Sequence, residues 1–90
     1  MNVSRSPNLT PHPAMYHVYL LKNIKTGKLY YGYTNNLKQR ISEHNRKQPN
    51  ELIYYEAYKS ESDARHRERQ LKHYAQVLTA LKGRLKESLK

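Results

Sequence analysis

Two short runs of β-branched, aromatic and aliphatic residues flank a stretch of turn formers, and this arrangement limits what the chain can fold into. The first run is Tyr16-His17-Val18-Tyr19-Leu20-Leu21, and the second covers residues 28–34, KLYYGYT. Residues 23–27 between them read NIKTG, with Asn23 suited to a turn and Gly27 able to take a positive φ. Strand, turn, strand predicts an antiparallel hairpin. A lone hairpin is marginal in water, so further elements must cover its apolar residues.

The rest of the chain supplies them. Thr34-Asn35-Asn36 offers helix caps, and Leu37, Ile41 and His44 follow at helical spacing, predicting a helix that ends before Pro49. Residues 51–58, ELIYYEAY, read as a third strand. Ser60 is placed to cap a second helix, with Glu61 and Asp63 at its positive end, running to about His73. Val77, Leu78, Leu81, Leu85 and Leu89 mark a third helix, interrupted at Gly83. Residues 1–14 hold three of the four prolines and no periodicity, which predicts a disordered tail before a domain at residues 15–90. The fold class expected is α+β: a small three-stranded antiparallel sheet flanked by helices, in the order ββαβαα.

Ninety residues suffice for one small domain with a thin core. The chain has no Cys, which excludes disulfides, thiolate metal sites and a thiol nucleophile. No apolar run approaches the ~18 residues of a membrane span, and the N-terminus lacks the apolar core of a secretory signal. A cytoplasmic protein with no membrane partner is expected. The formal net charge is +10. Such a chain repels itself, and nucleic acid is the commonest acidic partner that relieves the repulsion; solubility alone is the plainer explanation. There are nine Tyr, no Phe and no Trp. A buried phenol needs a hydrogen-bond partner, so several Tyr are expected at a wet surface or in a site.

Some polar residues fall on apolar stripes. On the second helix Glu68 shares a stripe with Ala64, Leu71 and Ala75, about 40° from Ala64 at helical periodicity. A carboxylate there must be paired or bind a hard cation such as Mg²⁺; Arg65 and Lys72 are its possible salt-bridge partners. On the first helix Arg40 and His44 are i, i+4 neighbours on the apolar side. A guanidinium can clamp a phosphate and an imidazole can accept or relay a proton. A half-buried, hydrogen-bonded His beside a solvated Arg is the structural alternative. Strand alternation puts Tyr30 and Gly32 on one face of the second strand. Gly32 invites close approach by a ligand or another backbone, and Tyr19 and Tyr30 can present hydroxyls beside it. Tyr31, Tyr54, Tyr55 and Tyr58 read as core filling.

Together these residues resemble the GIY-YIG nuclease domain. His17-Val18-Tyr19 stands for the first half-motif and Tyr30-Tyr31-Gly32 for the second. Arg40 and His44 match the arginine and histidine of the family's first helix, and Glu68 matches its metal-holding acid. YYGYTNNLKQRISEHN and YYEAYKSESDARHRERQLK are similar to the small single-domain members related to the nuclease module of the excision-repair incision subunit. The likeness covers residues 16–73 well.

The resemblance implies a metal-dependent endonuclease hydrolysing phosphodiester bonds in DNA, selective for structure rather than sequence, with a link to DNA repair. Tyr30 together with Tyr19 would activate water, Arg40 would hold the scissile phosphate, and His44 would assist. Glu68 would hold one divalent ion, Mg²⁺ or Mn²⁺. Gly32, Tyr33, Asn45, Arg67 and Lys72 would contact nucleic acid, DNA in preference to RNA, in a monomer or weak dimer. The chain departs from the family at two places. His17 replaces the first Gly of the motif, and no Asn follows residue 50, where many relatives carry a late one. The alternative is a non-catalytic basic nucleic-acid-binding module that keeps the fold; a protein-interaction adaptor is a third reading.

Overall fold

The computed structural model describes residues 15–90, so the tail expected over residues 1–14 lies outside the described residues. Strand β1 (Tyr16–Asn23) pairs antiparallel with β2 (Leu29–Thr34). The turn between them is built by Asn23: its Oδ1 accepts from the N–H groups of Lys25 and Thr26, and its carbonyl accepts from Gly27. Gly27 has φ 75°, a left-handed conformation that a side chain would oppose. Helix α1 (Leu37–Lys47) follows, capped as its sequence suggests by Asn36, whose side chain accepts from the Gln39 N–H. Strand β3 (Asn50–Tyr58) returns to the other edge of β1, giving the order β2-β1-β3. Helices α2 (Glu61–His73) and α3 (Ala75–Arg84) complete the α+β fold, order ββαβαα. No helix among the described residues is long and apolar enough to cross a membrane.

The central strand explains the layering. Val18, Tyr19, Leu20 and Leu21 are all buried, so both faces of β1 are covered. Val18 packs with Ala64 and Leu71 of α2 and Leu81 of α3, and Tyr16, Tyr31, Tyr33, Tyr54 and Tyr58 pack around that cluster. The opposite face carries Tyr19 and meets α1 through His44. A bulge between Leu20 and Leu21 leaves Ile53 unpaired and rephases β3.

Four local expectations are corrected. Tyr55 is 52% exposed, not core, because it shares the α1 face with Tyr19 at an edge strand. Ala75 leaves the α2 stripe because Tyr74 adopts an extended backbone (φ −120°, ψ 102°) and α3 restarts after it. The third helix passes through Gly83 and stops at Arg84 rather than reaching Leu89. There the Leu85 N–H bonds to the Lys82 carbonyl, a tighter turn, and Lys22 Nζ takes the Leu89 carbonyl at 2.7 Å. Ser60 stands at the N-cap of α2, but its side chain makes no capping hydrogen bond.

A polar clasp holds β3 to α2. Tyr54, Glu56 and Tyr58 alternate along one face of β3, and both phenols donate to the Glu56 carboxylate. Arg67 of α2 donates to it from Nε at 3.0 Å to each oxygen, and from Nη2 at 3.0 Å. Burial raises the Glu56 pKa, but the hydrogen bonds from Arg67, Tyr58 and Tyr54 outweigh it and hold it below the usual 4.5. Burial, then donation to Glu56, pushes the Tyr58 pKa up to about 12. Glu56→Ala would leave a partly buried guanidinium without its partner. It is expected to cost roughly 2–4 kcal/mol at pH 7, with Tm falling about 4–8 °C per kcal/mol. Because the folded pKa is depressed, the clasp stabilises above pH 4.5 and its contribution fades as pH drops below that value. The gap between wild type and variant should therefore narrow in melts at pH 3. An equal Tm at neutral pH would show the clasp to be energetically idle.

Candidate active site

The site forms where α1 crosses the face of the hairpin. Tyr19 and Gly32 are direct cross-strand partners. The phenol lies over the glycine: a Cβ at residue 32 would collide with the Tyr19 hydroxyl oxygen and stand 2.7 Å from its Cζ. The missing side chain thus makes room for Tyr19, where close approach by a ligand had been anticipated. Seated there, Tyr19 is 4% exposed, and its hydroxyl lies 3.2 Å from His44 Nε2. The two rings meet edge to face, with centroids 5.9 Å apart.

Electrostatics keep the phenol in its neutral form. Burial pushes the Tyr19 pKa up, against the pull of the nearby Arg40 guanidinium; Glu68 also raises it and Lys72 lowers it. Burial wins, so Tyr19 keeps its proton, and its hydroxyl shares a hydrogen bond with His44 Nε2. Charges on α1 and α2, those of Arg40, Glu68 and Lys72, thus all act on this one hydroxyl of β1.

Tyr30 lies beside this group, its ring centroid 6.4 Å from that of His44. The two residues share a cleft of about 250 Å³ with Lys47, Gln48 and Asn50. Lys28 Nζ sits 5.9 Å above the Tyr30 ring. Arg40 is exposed, and its Nε pairs with Glu43 at 3.3 Å. It lines a groove of about 140 Å³ with Glu43, His44 and Lys47. A surface pair of this kind is weak, which leaves the guanidinium available to an anion.

Glu68 is partly buried, and Lys72 Nζ stands 2.8 Å from its Oε2. Of the salt bridges the sequence allowed, the one to Lys72 forms. Among the described residues no group of three or more His, Asp or Glu side chains could hold a metal ion. The donor set fits an ion held by one carboxylate together with water and substrate oxygens, which Mg²⁺ tolerates, and does not form a cage of its own.

The residues anticipated at a nucleic-acid surface are differently engaged. The Arg67 guanidinium is tied to Glu56, and Lys72 to Glu68. Asn45 Oδ1 accepts from the Asn50 N–H and fastens the start of β3. Tyr33 is half-buried and its hydroxyl faces Glu61 Oε2 at 3.5 Å. Glu56 went unnoticed in the sequence, although a carboxylate between Tyr54 and Tyr58 on one strand face was the signal for it. Asn23, buried and donating to Gln48 Oε1 at 2.6 Å, also ties the hairpin to the end of α1.

This is a small basic α+β domain with a phenol, an imidazole and a guanidinium gathered on one sheet face. The family model for the GIY-YIG catalytic domain matches residues 15–76. A UPF0213 protein of Staphylococcus haemolyticus is 35% identical over 71 residues, 69% of this chain and 85% of that protein. A UPF0213 protein of Clostridium perfringens is 37% identical over 67 residues, 64% of this chain and 71% of its own length. One from Staphylococcus aureus is 36% identical over 66 residues, covering 63% and 79%. No solved structure gives a significant match. The chain belongs to the GIY-YIG family, a family of nucleases.

The packing of Tyr19 on Gly32 makes a prediction. Gly32→Ala should displace the phenol from His44 and destabilise the fold by about 1–3 kcal/mol. In a Tyr19→Ala background the same change should cost much less, a coupling of more than about 1 kcal/mol in a double-mutant cycle of denaturant melts. Additive effects would show that the two residues do not compete for space.

Proposed function

We propose that the protein is an endonuclease that hydrolyses phosphodiester bonds in DNA with one divalent ion. The observation that carries this reading is the Tyr19–His44 hydrogen bond at 3.2 Å, set in the field of Arg40 and Glu68. Tyr19 is buried and protonated, so its part is to fix the imidazole. Tyr30, half-buried on the open cleft, is the phenol that meets and orients the attacking water. His44 takes up or relays the water's proton. Arg40 holds the scissile phosphate and offsets the charge that grows as the water oxygen bonds to phosphorus and the ester P–O bond breaks. Glu68 would hold Mg²⁺ or Mn²⁺, which when bound supplies Lewis-acid polarisation of phosphate and leaving oxygen.

The remaining positive surface gives affinity without base readout, so structure rather than sequence would select the substrate. We read the enzyme as cytoplasmic, as a monomer or weak dimer, and as serving DNA repair, with DNA preferred to RNA. One observation favours a second reading, a basic binding module without catalysis: Lys72 already occupies an oxygen of Glu68.

Cleavage assays on single-stranded, nicked and branched DNA separate the two. The wild type should cut with Mg²⁺ or Mn²⁺ and stop in EDTA. Glu68→Ala should abolish cutting while DNA is still bound. Arg40→Ala is expected to lower kcat by about 10²–10³-fold, and Tyr30→Phe to lower it with less effect on binding. Salt-sensitive binding with no cleavage in any metal would establish the second reading.

A further inference from the structure

A second cleft, of about 400 Å³, shares Arg40 with the candidate active site and is completed by Tyr16, Tyr33, Thr34, Asn35 and Glu61. That volume falls within the usual range of small-molecule sites, about 300–1,000 Å³. The cleft holds charges of both signs. Arg40 pairs with Glu43, and Glu61 forms no ion pair among the described residues. The hydrogen bond that Glu61 receives is a long one, from the Tyr33 hydroxyl to Oε2 at 3.5 Å. Oε1 has no hydrogen-bond partner among the described residues.

A carboxylate repels phosphate, so only the Arg40 side of this cleft suits a phosphodiester. The Glu61 side suits a neutral group with N–H donors. A carboxylate has two oxygens side by side and prefers two parallel donors. Among the DNA bases guanine matches this best, with adjacent N1–H and N2–H donors on its pairing edge. That edge is free only when the base is unpaired. The phenol rings of Tyr16 and Tyr33, both half-buried, offer flat surfaces of the kind that unstacked bases pack on.

We propose that this cleft takes an unpaired guanine of the strand whose phosphate lies on Arg40, with Glu61 accepting from N1–H and N2–H. The inference rests on the nuclease reading for its substrate class and adds the base recognised next to the phosphate. Glu61 is exposed at the start of α2, so replacing it leaves the core intact.

The test is fluorescence anisotropy with the full chain in EDTA, so that binding is read without cleavage. The probes are labelled oligodeoxythymidines carrying one central guanine, one hypoxanthine in its place, or neither. Hypoxanthine keeps N1–H and lacks the exocyclic amine. The guanine probe should bind about 5–10-fold more tightly than the other two. Glu61→Gln should bring the three within about twofold of one another, without weakening binding of the all-thymine probe or changing the melting curve. Equal binding of all three by the wild type, or a guanine preference that survives Glu61→Gln, overturns the assignment. A guanine preference with no cutting of single-stranded, nicked or branched DNA in Mg²⁺ or Mn²⁺ sinks the hydrolytic reading and leaves this one standing. Equal binding followed by cutting does the reverse, and no binding of any probe overturns the guanine assignment while the cleavage assays on nicked and branched DNA decide the nuclease reading.

Discussion

The ring of Tyr19 lies where a side chain at Gly32 would otherwise be, and the candidate site is assembled on that substitution of space. The two residues face each other across the central hairpin. With any larger residue at 32 the phenol would be turned away from α1. Because it is not, its hydroxyl reaches His44, and the imidazole gains a fixed partner on the sheet. The Asn23–Gln48 bond anchors the other end of the same helix to the same strand. Helix α1 buries no residue fully, so these two polar bonds, rather than a wide apolar seam, define its seat.

The opposite face of the sheet answers a different need. A small basic domain has little apolar area with which to hold its helices. Here β3 and α2 are joined by a carboxylate that receives two phenols and a guanidinium. That clasp uses Tyr where Phe would be the simpler core residue, and gives their hydroxyls partners away from water. It also explains why the chain can be so rich in Tyr without all of its phenols lying at a site. Tyr54 and Tyr58 are bound to Glu56, Tyr19 and Tyr30 lie beside His44, and Tyr55 and Tyr74 are exposed.

Much of this was legible in the sequence because periodicity and punctuation agree. The hairpin with Gly27 at its turn, the Asn36 cap and the element order follow from local chemistry, and the structure has them. The juxtaposition of Tyr19 with His44 was legible through the motif resemblance, since no local rule brings residues 25 positions apart together. What could not be read was pairing between charges on different elements. The local pair of Glu68 with Lys72, one helical turn apart, was among those the sequence allowed, but Arg67 looks like a free cation on a helix and is held by Glu56, an acid on β3 that only tertiary packing brings to it. Tyr55 looks like Tyr54 and Tyr58 in composition, and only the edge position of β3 on the α1 face separates it from them.

The distribution of acids then bears on how an ion would be held. Among the described residues, four acidic side chains form ion pairs, Glu43, Glu56, Glu68 and Glu87. Glu43 is paired with Arg40, Glu56 is enclosed by its donors and Glu87 lies in the segment after α3; Glu68 is the paired acid whose charge acts on Tyr19. One carboxylate that already shares an oxygen with Lys72 is a weak ligand for a strongly hydrated cation. A phosphodiester on Arg40 would add the missing anionic oxygens and draw Lys72 toward itself. On this arrangement ion and strand would support each other's binding, and the coupling would be reciprocal, as linkage requires. The sparse carboxylates are thus consistent with a site completed by its substrate, in which the protein's own share is to hold one acid, one guanidinium and two phenols in register around a glycine.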